Sequence, residues 1–374
     1  MLGAKQSLWD VPVMKVRRVV FNLHLYTGLA AGLLLVQSGL TGSLLVFREE
    51  IEAFVYPELM KTVPRDERVS LQAVLESVGR AYPQDRPFAI RMPRTPQQTY
   101  LVRMNNAHDL FVYADPYSGK ILGAHRQEDT FTGWIALLHT QLLSGERGEI
   151  ILGIGAVLLA CVGVTGLILW WPRNGKMMPG FKIQWTAHWE KINFDLHRAS
   201  GIYAALFLLI AALTGFSLVF NKSVAGLINA VTQSPARAAP PRSELPRVGM
   251  PSPSLDVLSQ QANDILPEAA IIWINFPQTP TAPWVMRKKL SQESHPNGRN
   301  FIYFDQYTGR VLQVENISEA TMGTRINNML YPLHIGVIAG TPTRIFQVVT
   351  GFAPTVLFIT GFVMWKSRRP GRVR

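Results

Sequence analysis

The chain has a single cysteine, Cys161, in 374 residues. It can therefore close no disulfide within itself, supply no iron-sulfur ligand set and attach no haem through a C-x-x-C-H pair. No glycine-rich dinucleotide fingerprint follows a strand, and neither a P-loop nor an H-E-x-x-H zinc motif occurs. The chain brings no nicotinamide or flavin domain of its own, so any electrons it handles arrive from an external donor: a cytoplasmic reductase, a soluble reductant or a membrane quinol. Acidic residues are also short, 25 Asp and Glu against 37 Lys and Arg, for a formal net charge of +12. No basic helix with groove-reading spacing accompanies that excess, which argues against nucleic acid as a partner and for anionic lipid.

Long apolar runs are what the chain has in place of soluble cofactor motifs. Four of them, at 19–47, 149–171, 194–220 and 344–366, meet the roughly 20-residue requirement for crossing a bilayer core. The first is too long for a signal-peptide core, and a related segment recurs deep in the chain where no signal peptide lies. Basic residues at 15–18, 173–191 and 366–374 predict that both termini and the central loop are cytoplasmic, because positive charge near helix ends is retained inside. The segments 48–148 and 221–343 are then expected outside.

The apolar segments repeat with histidine in register. Phe21, Leu23-His24, Gly28, Leu40-Thr41-Gly42 and Val46-Phe47 reappear at Phe194, Leu196-His197, Gly201, Leu213-Thr214-Gly215 and Val219-Phe220. A second pair matches Leu138-His139, Gly145, Thr165-Gly166 and Trp170 to Leu333-His334, Gly340, Thr360-Gly361 and Trp365. A duplicated segment that keeps its histidine both times predicts a two-fold site, with one histidine from each half. His24 and His197 are expected to face each other at the cytoplasmic level, and His139 and His334 at the opposite level. Opposed histidines in a helix bundle are how haem iron is held from both faces. The competing reading is structural histidine bonded to a neighbouring helix.

The small-residue stripes His24, Gly28, Gly32, Leu35, Gly39, Gly42 and His197, Gly201, Ala205, Leu208, Ala212, Gly215 suit a flat porphyrin; tight helix packing is the alternative. Arg198 at the inner level and Arg147 and Arg344 at the outer level are candidate partners for haem propionates, or for lipid headgroups. His188 reads as an interfacial anchor or alternative inner ligand, and His108, His125 and His295 as solvated loop histidines.

Outside the membrane runs, the stretch from Val112 to Leu122, with Asp115-x-x-Ser118-Gly119, matches Ile302 to Leu312, with Asp305-x-x-Thr308-Gly309. Alternating residues around such a turn predict a β-hairpin. Helix candidates at 70–81 and 254–265 precede the hairpins, so each outer segment is expected to be a small α+β module. The Pro-, Ala- and Arg-rich stretch 234–253 reads as a linker or disordered loop.

This twice-given order of membrane helix, module with a Tyr-x-Asp-x-x-Ser/Thr-Gly-x-x-Leu hairpin, and membrane helix resembles the PepSY-associated transmembrane proteins of bacteria. Within that family it is most similar to inner-membrane ferrisiderophore reductases of the FoxB type. The resemblance covers nearly the whole chain. It implies an all-α four-helix transmembrane bundle with two periplasmic α+β (PepSY-like) modules and an internal two-fold repeat. It also implies two non-covalent haem b groups, ligated by His24 with His197 and His139 with His334, that pass electrons to a periplasmic ferric siderophore. Three rivals remain open at this point: a quinol-linked cytochrome with another acceptor, a haem-free regulatory or binding protein, and a transporter, against which only the fourth run carries an interrupting proline, Pro354.

Overall fold

The computed structural model describes residues 10–105, 109–172, 175–245 and 253–367. Its first half comprises helices α1 (Asp10–Leu45), α2 (Arg48–Val55), α3 (Pro57–Met60) and α4 (Leu71–Ala81), followed by strands β1 (Arg86–Arg91), β2 (Tyr100–Asn105), β3 (Leu110–Ala114) and β4 (Ile121–Arg126), then α5 (Phe131–Gln141) and α6 (Glu146–Trp170). The second half comprises α7 (Trp189–Val219), α8 (Asn221–Val231), α9 (Leu255–Ile265), β5 (Ala269–Asn275), β6 (Trp284–Leu290), β7 (Asn300–Phe304), β8 (Val311–Glu315), α10 (Met322–Ile335) and α11 (Thr341–Ser367).

Among the described residues four helices are long and apolar enough to cross a membrane: Lys15–Leu45 within α1, then α6, α7 and α11. Lipid tails are as apolar as leucine, so these helices associate through close packing of small residues rather than through burial. α1 packs on α6 and α11, and α7 on α6 and α11, which closes a four-helix ring with α1 and α7 on its diagonal. At the α1–α11 crossing a Cβ on Gly39 would lie 2.3 Å from the carbonyl oxygen of Gly351, so only glycine allows that approach. Ser43 Oγ donates to the carbonyl of Val348 at 3.1 Å beside it. Arg17 donates to the carbonyls of Leu169 and Trp171, the end of α6, where a cation suits the helix dipole. Pro354 lies inside α11 without ending it.

The segments 48–148 and 221–343 do not form separate modules. Their strands make one antiparallel eight-stranded sheet, in the order β4-β3-β2-β1-β5-β6-β7-β8. The junction pairs Ile90 with Ile274, flanked by Ala89 with Asn275 and Arg91 with Trp273. Helices α4 and α9 cover one face. Val74 and Val78 of α4 and Leu255, Leu258 and Ala262 of α9 bury against Ile90, Val102, Val112, Ile274, Met286 and Ile302. Both helices begin at a capping serine, Ser70 or Ser254, whose oxygen accepts from the amide three residues on. Lys288, with none of its surface exposed, reaches from β6 to the carbonyl of Ala262 and to Asn263 Oδ1 at 2.9 Å each, near the end of α9.

Both expected hairpins are present, as β3–β4 and β7–β8. Each turn is organised by its aspartate. Asp305 accepts from the amides of Tyr307 and Thr308, the hydroxyl of Thr308 and the amide of Glu244. Gly309 follows at φ +69°, a backbone state that L side chains resist. The expected linker at 234–253 has no regular structure over 235–245, yet it is anchored: Ser243 is buried, its amide donates to Thr281 and its hydroxyl accepts from the amide of Gln306.

Burial alone would raise the carboxyl pKa of Asp305, but the amides of Thr308, Glu244 and Tyr307 outweigh it and hold the pKa below the usual range. Asp305→Ala is expected to cost about 2–4 kcal/mol, since a buried charged acceptor serving several donors is lost. Thermal unfolding of the detergent-solubilised protein checks this, with a matching loss for Asp115→Ala in the equivalent turn.

Candidate functional site

The histidines of the repeat stand on four different helices, α1, α5, α7 and α10. His139 and His334 lie on short helices of their own rather than on the chain leading into α6 and α11. Each Nδ1 meets a threonine hydroxyl from another helix of the same half. The distances are 3.0 Å for His24 to Thr165, and 2.9 Å for His139 to Thr41, His197 to Thr360 and His334 to Thr214. Every one of these hydroxyls also donates, at 2.7 Å, to the carbonyl four residues back in its own helix. A hydroxyl has one proton, so once it is spent in the helix the oxygen can only accept. Nδ1 must then carry the imidazole proton, and Nε2 keeps a free lone pair, the form in which a neutral histidine ligates a metal.

A glycine follows each threonine and seats the ring. A Cβ on Gly166, Gly42, Gly361 or Gly215 would come within 3.1, 2.9, 3.3 or 3.3 Å of Cε1 of His24, His139, His197 or His334. A Thr-Gly dipeptide stands at the matching place in each repeated segment, but its service to the histidine of a different helix is visible only in the fold.

Across the halves the rings pair. His24 and His197 have centroids 6.3 Å apart with planes at 88°, and His139 and His334 6.4 Å apart with planes at 42°. Two metal–imidazole bonds of about 2 Å, with roughly 1 Å from nitrogen to ring centre on each side, separate the centroids of an axial pair by about 6 Å. The donor sets thus fit a metal held from two faces, across the α1–α7 diagonal for the first pair. Among the described residues no group of three or more His, Cys, Asp and Glu gathers as a rival cation site.

Other expected site residues are placed differently. The α1 stripe divides: Gly32 lies under the Phe358 ring, Gly39 on Gly351 and Gly42 on His139, while Gly28 faces open space. On α7, Ala205, Leu208 and Ala212 are buried. Arg344 is committed to Glu50, through two bonds of 2.6 and 2.8 Å, and to the carbonyl of Val46, and it stacks 4.2 Å from the Phe47 ring, so it is not free for a propionate. Arg198 pairs with Asp195, which is wholly buried, and with the carbonyl of Pro179, and its Nε is buried without a partner. Arg147 is exposed in the first turn of α6. His188 is the N-cap residue of α7 and pairs with Glu190, as suits an anchor. His125 lies in β4 against Tyr113, 5.2 Å between rings, and His108 is outside the described residues.

His295 is not a solvated loop residue. It is 4% exposed, and burial, followed by the charges of Arg299, Arg287 and Lys289, lowers its pKa from 6.5 to about 3. Arg299 is local, but Arg287 and Lys289 come from β6 and Tyr331 from α10, so the sequence does not mark the burial.

A membrane-spanning bundle that carries two opposed histidine pairs beneath an antiparallel sheet defines a class of integral membrane protein. The family model for the PepSY-associated TM region matches residues 21–368, and the chain belongs to that family. Comparison with curated proteins gives no match.

The fold keeps His295 neutral, whereas the unfolded chain protonates it near 6.5. As pH falls from 6.5 towards 3, the unfolded state takes up a proton that the folded state refuses, and stability is lost. His295→Gln is expected to remove that component. The gap in melting temperature between wild type and variant should therefore narrow between pH 7 and pH 4.5.

Proposed function

We propose that the protein is a dihaem b-type reductase of a bacterial inner membrane, which carries electrons across the bilayer and reduces ferric siderophores on the periplasmic side. The observation that carries this reading is the pair of histidine couples, each with Nδ1 spent on a threonine, Nε2 free and ring centres 6.3 or 6.4 Å apart. His24 and His197 would hold one haem and His139 and His334 the other, all through Nε2. Haem bound there supplies a one-electron couple at each depth. The chain's own part is to orient the rings through the Thr-Gly seats, keep them neutral and exclude water with the apolar bundle.

The two levels are well separated. Thr41, which holds His139, stands roughly five turns along α1 from His24. That spacing supports transfer from one side of the membrane to the other. The symmetric pairing about Ile90 and Ile274 supports a two-fold relation between the halves, and Lys15, Arg17 and Arg18 support cytoplasmic termini. The substrate chemistry is leverage on affinity. Hydroxamate and catecholate chelators prefer the hard ferric ion, so gaining one electron weakens the complex and releases ferrous iron.

Haem-saturated protein should give two haems per chain by pyridine haemochrome, and a reproducible value near zero would end the reading. His24→Ala and His197→Ala should erase one spectral component, and His139→Ala and His334→Ala the other. Thr360→Val should raise the midpoint potential of the His24–His197 component alone, because the hydrogen bond from Nδ1 makes the ligand more basic. Prereduced protein should be reoxidised by ferric hydroxamates, with ferrous iron caught by a ferrous-specific chelator. Rapid oxidation by quinones with no response to ferric siderophores would reassign the acceptor.

A further inference from the structure

The sheet face turned away from α4 and α9 differs between the halves. In the first half Ala53, Leu59 and Met60, from the α2–α3 segment, cover it, packed on Leu101, Tyr113 and Leu122. In the second half it carries Arg287 beside Phe301, with Arg237 stacked 4.6 Å over the same ring. The 291–299 loop adds Arg299 and His295. The ring of His295 lies 5.4 Å from that of Tyr331, which precedes His334 by one turn of α10. The same loop is tied to the start of α2: Arg94 donates to the carbonyl of Pro296 and pairs with Glu49. Glu49 in turn lines a cleft of about 340 Å³ together with Ala53, Met60 and Arg91.

The carboxylate of this loop, Glu293, spends Oε2 on the amide of Leu290 and on Asn300 Nδ2, and neither of its oxygens is bonded to an arginine of the cluster. Arg237 is satisfied by Glu315 at 2.7 Å. Among the described residues Arg287 and Arg299 have no ion pair, and the Nε atoms of both are buried without a partner. His295 adds a third such atom, Nε2. Its Nδ1 accepts from the amide of Asn297 at 3.2 Å, so the proton of the neutral ring sits on Nε2. Three unpartnered groups are therefore all N–H donors, and a group that answers all three is an anionic oxygen.

The other half provides an internal control. Arg103 pairs across the ladder with Phe111 as Arg287 does with Phe301. Arg103, however, has its own carboxylate, donating to Asp109 Oδ1 at 3.1 and 2.5 Å. The arginine is ion-paired directly in one half, while among the described residues Arg287 makes no ion pair in the other, Glu293 acting on it only at longer range.

We propose that Arg287, Arg299 and His295 bind a carboxylate borne by an anionic ferric chelate, which they hold over the His139–His334 pair. The proposal rests on the reductase reading and specifies its substrates as negatively charged chelates. A haem propionate offers the same chemistry, and the test separates the two sources. In full-length, haem-loaded and prereduced protein, the half-saturating concentration of ferric citrate for reoxidation should rise with added salt. It should rise roughly tenfold in Arg287→Gln or Arg299→Gln, the loss expected of a charge-assisted bond. Arg103→Gln should leave it unchanged, and a cationic ferric trihydroxamate should be insensitive to all three substitutions. The salt dependence in wild type requires no variant to fold, and its absence overturns the proposal.

Redox-inert gallium citrate gives the second readout. It should raise the unfolding temperature of wild-type protein with and without haem, but not that of the Arg287→Gln/Arg299→Gln variant. A response confined to haem-free protein assigns the carboxylate to the cofactor and overturns the chelate. No response in either form overturns the site, while a haemochrome signal and reoxidation by hydroxamates would leave the reductase standing. Gallium citrate binding to protein that takes up no haem keeps the anion site and removes its redox purpose.

Discussion

An imidazole inside an apolar bundle must spend its N–H on something, since an unsatisfied buried donor costs about 1–3 kcal/mol. Here the answer is the same four times over: a threonine hydroxyl already committed to its own helix. That choice sets the register of α1 against α5 and α6, and of α7 against α10 and α11. It also dictates the following glycine, because a ring drawn down onto the threonine leaves no room for a Cβ. These bonds all lie within one half. Between halves the bundle relies on close approach, as at Gly39 and Gly351, on the bonds of Ser43 to Val348 and of Arg344 to Val46 and Glu50, and on the two ring-to-ring meetings themselves. The histidine pairs therefore sit on the seam between halves, each member held rigidly from its own side.

The halves agree in what holds the histidines and differ in what lies above them. Tyr113 and Tyr303 occupy matching places in the hairpins, yet one meets His125 and the other Glu315 and Arg237. Arg103 has a carboxylate in direct contact, and Arg287 has none among the described residues. Glu52, which accepts from Thr132 of α5, ties α2 down over the first half, and the first-turn acid of α9, Asp256, caps α4 through the amide of Leu71. Such cross-ties fix the sheet on the bundle, so a difference between the two sheet faces becomes a difference at one defined distance from the histidines.

What could be read from the sequence was local. The four long apolar runs, the Ser70 and Ser254 helix starts and the hairpin turns at Asp115 and Asp305 all announce themselves within a few residues. The histidine pairing was legible because the duplication printed it twice. Strands β1, β2, β5 and β6 were not: Pro87 in β1 and the Arg287-Lys288-Lys289 run in β6 blur the alternation that marks a half-buried strand. The merging of two expected modules into one sheet depends on backbone pairing at Ile90 and Ile274, which no side-chain pattern encodes. The burial of His295 and the engagement of Arg344 by Glu50 likewise come from partners far away in the chain. The Thr-Gly dipeptides were visible as letters of the repeat, but their partners lie on other helices.

The β1–β5 seam has a consequence for how such a chain can be divided. Cut in the segment between α6 and α7, either half would carry a four-stranded sheet ending in a bare strand, with amide and carbonyl groups ready for a neighbour. Because Ile90 pairs with its counterpart Ile274 in antiparallel sense, a second copy of the same half would present a matching edge in the required direction. A half-length chain would thus have a built-in route to self-association, bringing His24 towards His24 and His139 towards His139. The covalent link between the halves fixes their stoichiometry and frees one sheet face to change without the other.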